Sequence, residues 1–270
     1  MLLKQAIDLN LRLMRWRLWP NLNLPAVSAT KCLLLGAGTL GCGVARALLG
    51  WGVSHITFVD NGRVTYSNPA RQCLYEFDDC KERRFKAEAA AAALKRICPY
   101  MYAQGVVMSL PMPGHPMSLP SATTATVEVK TESGRARDSE ELVPAGTPSD
   151  PVSTLEQLVL QHDCIFSLLD SREGRWLPTV LCRRYGKMMI TGALGFESYL
   201  IMHHGTYGTY SPLAAAGAAG PAAASPACSG GLRNANGSSS SSGCYFCSDI
   251  VGTRNSQRDR SLDQQVCVVW

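Results

Sequence analysis

Residues Gly36-Ala37-Gly38-Thr39-Leu40-Gly41 carry the spacing G-x-G-x-x-G. The first glycine of such a loop permits a tight turn. The second lets backbone approach a phosphate, and the third lets a helix pack closely on a strand. The apolar run Cys32-Leu33-Leu34-Leu35 precedes the loop, and helical spacing of Leu40, Val44, Ala47 and Leu48 follows it. A helix N-terminus placed there favours negative charge. Asp60 ends the next apolar run, His55–Val59, where a carboxylate accepts ribose hydroxyls. These residues describe a site for a nucleotide with a ribose and phosphates, and NAD, FAD and ATP all fit.

Three further side chains separate those ligands. Asn68 and Arg71 follow Asp60, and Lys86 opens a run of good helix formers. Hydride transfer has no evident use for Arg71 and Lys86 beside a phosphate loop. Attack on an α-phosphate does, because charge grows on the phosphate oxygens and fixed cations offset it. Asp170, at the end of a later apolar run, suits Mg2+ through its carboxylate. Cys244 and Cys247 have the Cys-x-x-Cys spacing of two zinc ligands on one knuckle. A structural zinc needs four, and no other cysteine here has matching spacing.

The elements that must position these groups alternate. Strands are predicted at 32–35, 55–59, 105–108, 164–169, 188–191 and 199–202. Helices are predicted from 40 onward, at 86–97 before Pro99, at 154–162 and at 173–185. The order implies an α/β fold: a Rossmann-like, mostly parallel sheet with helices on both faces. Right-handed crossovers then bring Gly36, Asp60 and Asp170 to one sheet edge. Residues 1–30 read as an amphipathic N-terminal helical segment, and 31–204 as the nucleotide-binding domain. Ser, Thr, Pro and charge dominate 120–150, read as a disordered insertion. Residues 205–243 are an Ala/Gly/Ser low-complexity insertion, and 244–270 begin a cysteine-bearing region.

Composition sets outer limits. The chain has 270 residues, 46% of them hydrophobic, which suits a real core and excludes wholesale disorder. Its 26 Lys+Arg against 21 Asp+Glu leave a mild, dispersed excess of +5, with no basic-aromatic run to suggest nucleic acid. No apolar run reaches transmembrane length. The eleven cysteines follow no small secreted frame, so they read as thiols in a reducing, cytosolic setting.

Longer blocks carry a resemblance. They are Leu13-Met14-Arg15-Trp16-Arg17, Val59-Asp60-Asn61 with Tyr66-Ser67-Asn68-Pro69, and Ser109 through Pro116. Asp170-Ser171-Arg172-Glu173-Gly174-Arg175-Trp176, Gly243 through Cys247 and Arg258 through Gln265 complete the set. With Gly36 and Arg71-Gln72, they resemble the ThiF/MoeB-type adenylation domain of ubiquitin-like modifier-activating enzymes, of the autophagy type. The resemblance implies two steps. A modifier's C-terminal carboxylate attacks the α-phosphate of ATP, and a cysteine then takes the acyl group as a thioester for a conjugating enzyme. It places Gly36, Gly38, Gly41, Asp60, Asn68, Arg71, Lys86 and Asp170 in the nucleotide site. It implies a homodimer in which Arg15 or Arg17 reaches the neighbouring site, and recruitment to the phagophore assembly site. Cys244 and Cys247 correspond to half of the family's zinc site.

The family's nucleophile directly follows the match to Asp263-Gln264-Gln265. Here Val266 stands there and Cys267 comes one residue late. Two readings stay open: Cys267 is a shifted nucleophile, or 266–270 is an unrelated end left by truncation. Three other functions compete: a sulfur-carrier adenylyltransferase, a catalytically incomplete binding or dimerisation partner, and a NAD- or FAD-dependent oxidoreductase.

Overall fold

A computed structural model describes residues 2–113, 150–195, 199–204 and 244–248. Of the expected insertions at 120–150 and 205–243, all but Asp150 lie outside the described residues, as does Cys267. Helices α1 (Leu2–Leu18) and α2 (Leu24–Ala29) lead into β1 (Lys31–Leu35), α3 (Thr39–Gly50) and β2 (His55–Val59). Then come α4 (Phe77–Lys81), α5 (Lys86–Ile97), β3 (Tyr102–Val106), α6 (Pro151–Gln161) and β4 (Cys164–Ser167). A 3-10 turn (Glu173–Arg175) runs into α7 (Trp176–Arg184), followed by β5 (Met188–Leu194), β6 (Tyr199–His204) and the short α8 (Tyr245–Ser248).

The strands form one sheet in the order β3-β2-β1-β4-β5-β6, parallel except where β6 runs antiparallel to β5. The chain reverses direction across the sheet between β1 and β4. In such sheets the crevice at that switch point, outside the strands' carboxyl ends, receives ligands.

Both faces of β1 are covered, which explains its unbroken apolar run. Cys32 and Leu34 face one core with Ile56, Phe58, Ala45 and Leu94. Leu33 and Leu35 face the other with Val59, Ile165, Leu155 and Met189. Replacing Leu34 by Ala would cost about 2–5 kcal/mol, since it would leave a cavity in a closed layer.

Several boundaries differ from the sequence reading. The expected strand at 105–108 runs instead over Tyr102–Val106, because it pairs residue for residue with His55–Val59. At Val106 the pairing with β2 ends, and the chain turns away after Val106 O accepts from Asp60 N at 3.3 Å. Gly105 sits inside that strand because α5 lies directly on it: a Cβ there would stand 2.4 Å from Ala87 O. The strand at 164–169 stops at Ser167, freeing Leu168 and Leu169 to turn toward the switch point. Helix α6 begins earlier, at Pro151, because Asp150 caps it by accepting from Val152 N at 3.4 Å.

Buried histidines give the fold an acid limit. His204 meets Thr191 Oγ1 at 2.9 Å through Nε2, and its buried Nδ1 has no partner among the described residues. His162 holds Leu158 O at 2.6 Å and Thr57 Oγ1 at 2.8 Å. Burial lowers the pKa of His204 to about 4, and it lowers those of His162 and His55 below the usual value. The folded chain keeps these rings neutral while the unfolded chain protonates them near pH 6.5, so stability falls as pH drops through that interval. We expect urea unfolding to show His204 alone costing about 2 kcal/mol by pH 5. His204→Gln should flatten the dependence by that amount.

Candidate functional site

The glycine loop between β1 and α3 is a backbone device. Gly36 adopts φ +105°, and a Cβ there would lie 2.8 Å from Leu168 O. Gly41 does not line the cleft. It lies under the loop, where a Cβ would come 2.2 Å from Gly36 O. Above Gly38, by contrast, a Cβ would meet nothing within 4 Å. The loop is thus packed beneath and open above, at the N-terminus of a helix of 12 residues.

Two side chains pin this loop. Asp60 Oδ2 accepts from Ala37 N at 2.8 Å, and its Oδ1 accepts from Gly62 N at 2.6 Å. Asp60 therefore first orders the loop backbone, beyond the ribose contact read from sequence, and its carboxylate keeps lone pairs for a further donor. The Tyr75 hydroxyl donates to Ala37 O at 2.6 Å and lies 3.2 Å from Lys86 O. Burial raises the phenol's pKa, so it stays a donor. Sequence reading missed Tyr75, because nothing local marks a bond across 38 residues.

Asn68 organises the next turn. Its Oδ1 accepts from Thr65 N at 2.9 Å, and its carbonyl accepts from Arg71 N at 2.9 Å and Gln72 N at 2.8 Å. That turn presents Arg71 to the cleft. Lys86, the first residue of α5, is anchored by its N–H donating to Gly62 O at 2.9 Å. Asp170 stands exposed beyond the end of β4.

These groups meet in one cleft of about 630 Å³. Gly36, Gly38, Asp60 and Asn68 line it, together with Arg71, Lys86 and Asp170. Its volume suits a nucleotide-sized ligand. Among the described residues, no ion pair engages Arg71, Lys86 or Asp170. Their charges are therefore available to a ligand. The sequence reading also missed the apolar end, formed by Met108, Leu110, Met112, Leu168 and Leu169. Gln72 lines the cleft too, 5% exposed, with a buried Oε1 that has no partner among the described residues.

The remaining expected residues lie elsewhere. Arg15 and Arg17 sit near the end of α1, outside the cleft of their own chain, and Arg15 Nε donates to Pro20 O at 3.1 Å. The Cys244 and Cys247 sulfurs are 3.7 Å apart, matching the edge of about 3.8 Å in a tetrahedron with Zn–S bonds of about 2.3 Å. The pair fits two of four zinc ligands, and among the described residues no group of three metal-binding side chains occurs. The nine described cysteines are all free thiols. No helix among the described residues is long and apolar enough to cross a membrane.

Comparison with known proteins supplies a family. The model of the ThiF family matches residues 10–267. The human protein "Ubiquitin-like modifier-activating enzyme ATG7" is 47% identical over 268 residues, covering 99% of this chain and 35% of that protein. The relative of the same name from Cryptococcus neoformans is 46% identical, covering 98% of this chain and 34% of its own length. The Dictyostelium discoideum relative is 44% identical, with shares of 99% and 33%. The chain thus spans about a third of the length of these relatives. Among solved structures, the E. coli tRNA N6-threonylcarbamoyladenosine dehydratase TcdA aligns at a TM-score of 0.47 and 18% identity, over 67% of this chain and 58% of that chain.

Proposed function

The chain belongs to the ThiF family, and from that premise we propose that it adenylates the C-terminal carboxylate of a ubiquitin-like modifier with ATP. The observation that carries the reading is the meeting of Arg71, Lys86 and Asp170 in the cleft above the glycine loop. Similarity to relatives named as ubiquitin-like modifier-activating enzymes favours a protein carboxylate as the substrate.

In this reading a carboxylate oxygen attacks the α-phosphorus. The new C–O–P linkage forms, the bond to the bridging oxygen breaks, and pyrophosphate leaves. Arg71 and Lys86 offset the charge that builds on the phosphate oxygens. Gly38 and the start of α3 receive phosphate through backbone N–H groups. Asp60 accepts a ribose hydroxyl with the lone pairs that Ala37 and Gly62 leave free, and Asn68 borders the same region. Asp170 is a hard oxygen donor, and one carboxylate plus substrate phosphates is the donor set that Mg2+ takes. Once bound there, Mg2+ would supply neutralisation of the leaving pyrophosphate.

The rest of the relatives' activity enters on the same footing. The modifiers are those of autophagy, the product passes to conjugating enzymes as a thioester, and Cys267 is the candidate acceptor. Cys244 and Cys247 supply two ligands to a zinc ion. The protein acts as a homodimer in the cytoplasm and at the phagophore assembly site, with Arg15 or Arg17 reaching the neighbouring cleft.

The test is ATP–pyrophosphate exchange by the full chain with an added modifier. Exchange that requires the modifier's terminal carboxylate supports the reading. Binding of modifier without exchange would favour a catalytically incomplete partner, and protection by NAD but not ATP would favour an oxidoreductase.

A further inference from the structure

Arg175 is 1% exposed, among the largest side chains fully enclosed by the fold. Its Nη2 donates to Leu169 O at 2.8 Å, and its Nη1 donates to Tyr245 Oη at 3.2 Å. Leu169 immediately precedes Asp170, and both line the cleft. Tyr245 sits between Cys244 and Cys247, in a turn closed by Cys247 N donating to Cys244 O at 2.9 Å. One guanidinium therefore touches the backbone beside the Asp170 carboxylate with one arm and the cysteine turn with the other.

The surroundings hold this arrangement. Tyr245 is itself buried, with its ring 5.8 Å from the Arg175 guanidinium carbon and 6.4 Å from the His204 ring. Trp176 and Phe246 pack 6.4 Å apart, seating the same turn on α7. Thr179 Oγ1 donates to Arg175 O at 2.7 Å, fixing the start of that helix. Gly174 lies close under the loop, since a Cβ there would come 2.8 Å from Ser171 Oγ. A guanidinium presents its donors in a rigid plane, so its two ends cannot move independently. A buried charge that loses a partner is costly, which makes concerted movement the cheaper response.

We propose that Arg175 is a positioning residue that couples the Cys244–Cys247 turn to the Asp170 end of the cleft, so that nucleotide occupancy and the state of the turn are linked. The coupling rests on the ATP reading of the cleft. It acts through the Leu169 carbonyl, and Arg175 itself does not line the cleft. Linkage is reciprocal: ATP with Mg2+ tightens the turn, and loosening the turn weakens ATP.

The test uses the full chain after a chelator has removed any bound zinc, which leaves both thiols open to reagent. It has two readouts, calorimetric titration with ATP and Mg2+, and the rate at which iodoacetamide alkylates Cys244 and Cys247. In the wild type, ATP should slow alkylation of the pair about fivefold, within the range of ordinary coupling between sites. Tyr245→Phe removes only a hydroxyl that lies outside the cleft. It should weaken ATP about fivefold, lose the protection and keep a cooperative melt. Arg175→Lys keeps the charge but loses the fork, and should show the same pattern more strongly. Should Arg175→Lys fail to fold, Tyr245→Phe decides. A purely structural arginine would lower the melting temperature and leave the ATP affinity of the folded protein unchanged. Wild-type affinity in folded Tyr245→Phe, or no effect of ATP on wild-type alkylation, overturns the coupling alone. A wild type that binds no ATP overturns the coupling and the nucleotide reading together.

Discussion

Lys86→Ala should reduce modifier-dependent ATP–pyrophosphate exchange by about a thousandfold, as loss of a fixed donor to developing charge does elsewhere. Its melting transition should stay where it is. Lys86 is half-buried at the first position of α5, and what holds that helix end is its backbone N–H to Gly62 O at 2.9 Å, which alanine keeps. Alanine is also the best helix former. The ammonium forms no ion pair among the described residues, so its removal strands no buried partner. Exchange loss with retained stability is the signature of a group that acts on the ligand. Asp170→Ala should behave alike, because its exposed carboxylate likewise forms no ion pair among the described residues. Arg71→Lys should recover little, since an ammonium cannot reproduce the guanidinium's planar pair of donors. Exchange within tenfold of wild type in both alanine variants would remove these residues from the chemistry.

Gly41→Ala should be severely destabilising. The new carbon would lie 2.2 Å from Gly36 O and 3.1 Å from Gly36 C, both backbone atoms that no rotamer change can move. Either α3 lifts from β1 or the loop shifts, and each opens the Cys42 and Ala45 contacts in the core. We expect a loss of about 3 kcal/mol or more in urea unfolding. ATP binding should be lost with it, because Gly36 and Gly38 belong to the same loop. Gly38→Ala is the matched control. Its methyl meets nothing within 4 Å, so stability should hold. That methyl would occupy the open space above the loop, so ATP affinity should fall without unfolding. Equal behaviour of the two variants would show that packing and phosphate approach are not divided between the two glycines in this way.

Much of this could be read from the sequence, because several signals are local. The unbroken Leu33-Leu34-Leu35 run means burial on both faces wherever it stands. Three glycines at fixed spacing after such a run demand a tight turn under a helix. Lys86 opened a helix that runs to Ile97 as its composition implied. Gathering Gly36, Asp60 and Asp170 at one edge followed from strand order and crossover handedness. The remainder depended on contacts between distant residues. The start of β3 is set by pairing with His55, and the intervening Gln104 and Gly105 hid it. Nothing near Tyr75 in the sequence marks the bond its hydroxyl makes to Ala37 O. Arg175 fell within the helix predicted over 173–185, whereas a 3-10 turn at Glu173–Arg175 directs it inward. Gln72 stood beside Arg71 in the sequence with nothing to mark its amide as buried against the cleft.

The proposed reaction breaks the bond between the α-phosphorus and its bridging oxygen in ATP and leaves the adenylyl group on the modifier. A single-turnover reaction of the full chain with modifier and ATP, labelled in separate samples at the α- or γ-phosphorus, reads this directly. Label from the α position should move to the modifier and leave it as AMP on hydrolysis or on transfer of the acyl group to a cysteine, and label from the γ position should leave as pyrophosphate. Label from the α position that appears in neither modifier adenylate nor AMP, or a modifier that takes up label from the γ position, would contradict attack at the α-phosphate.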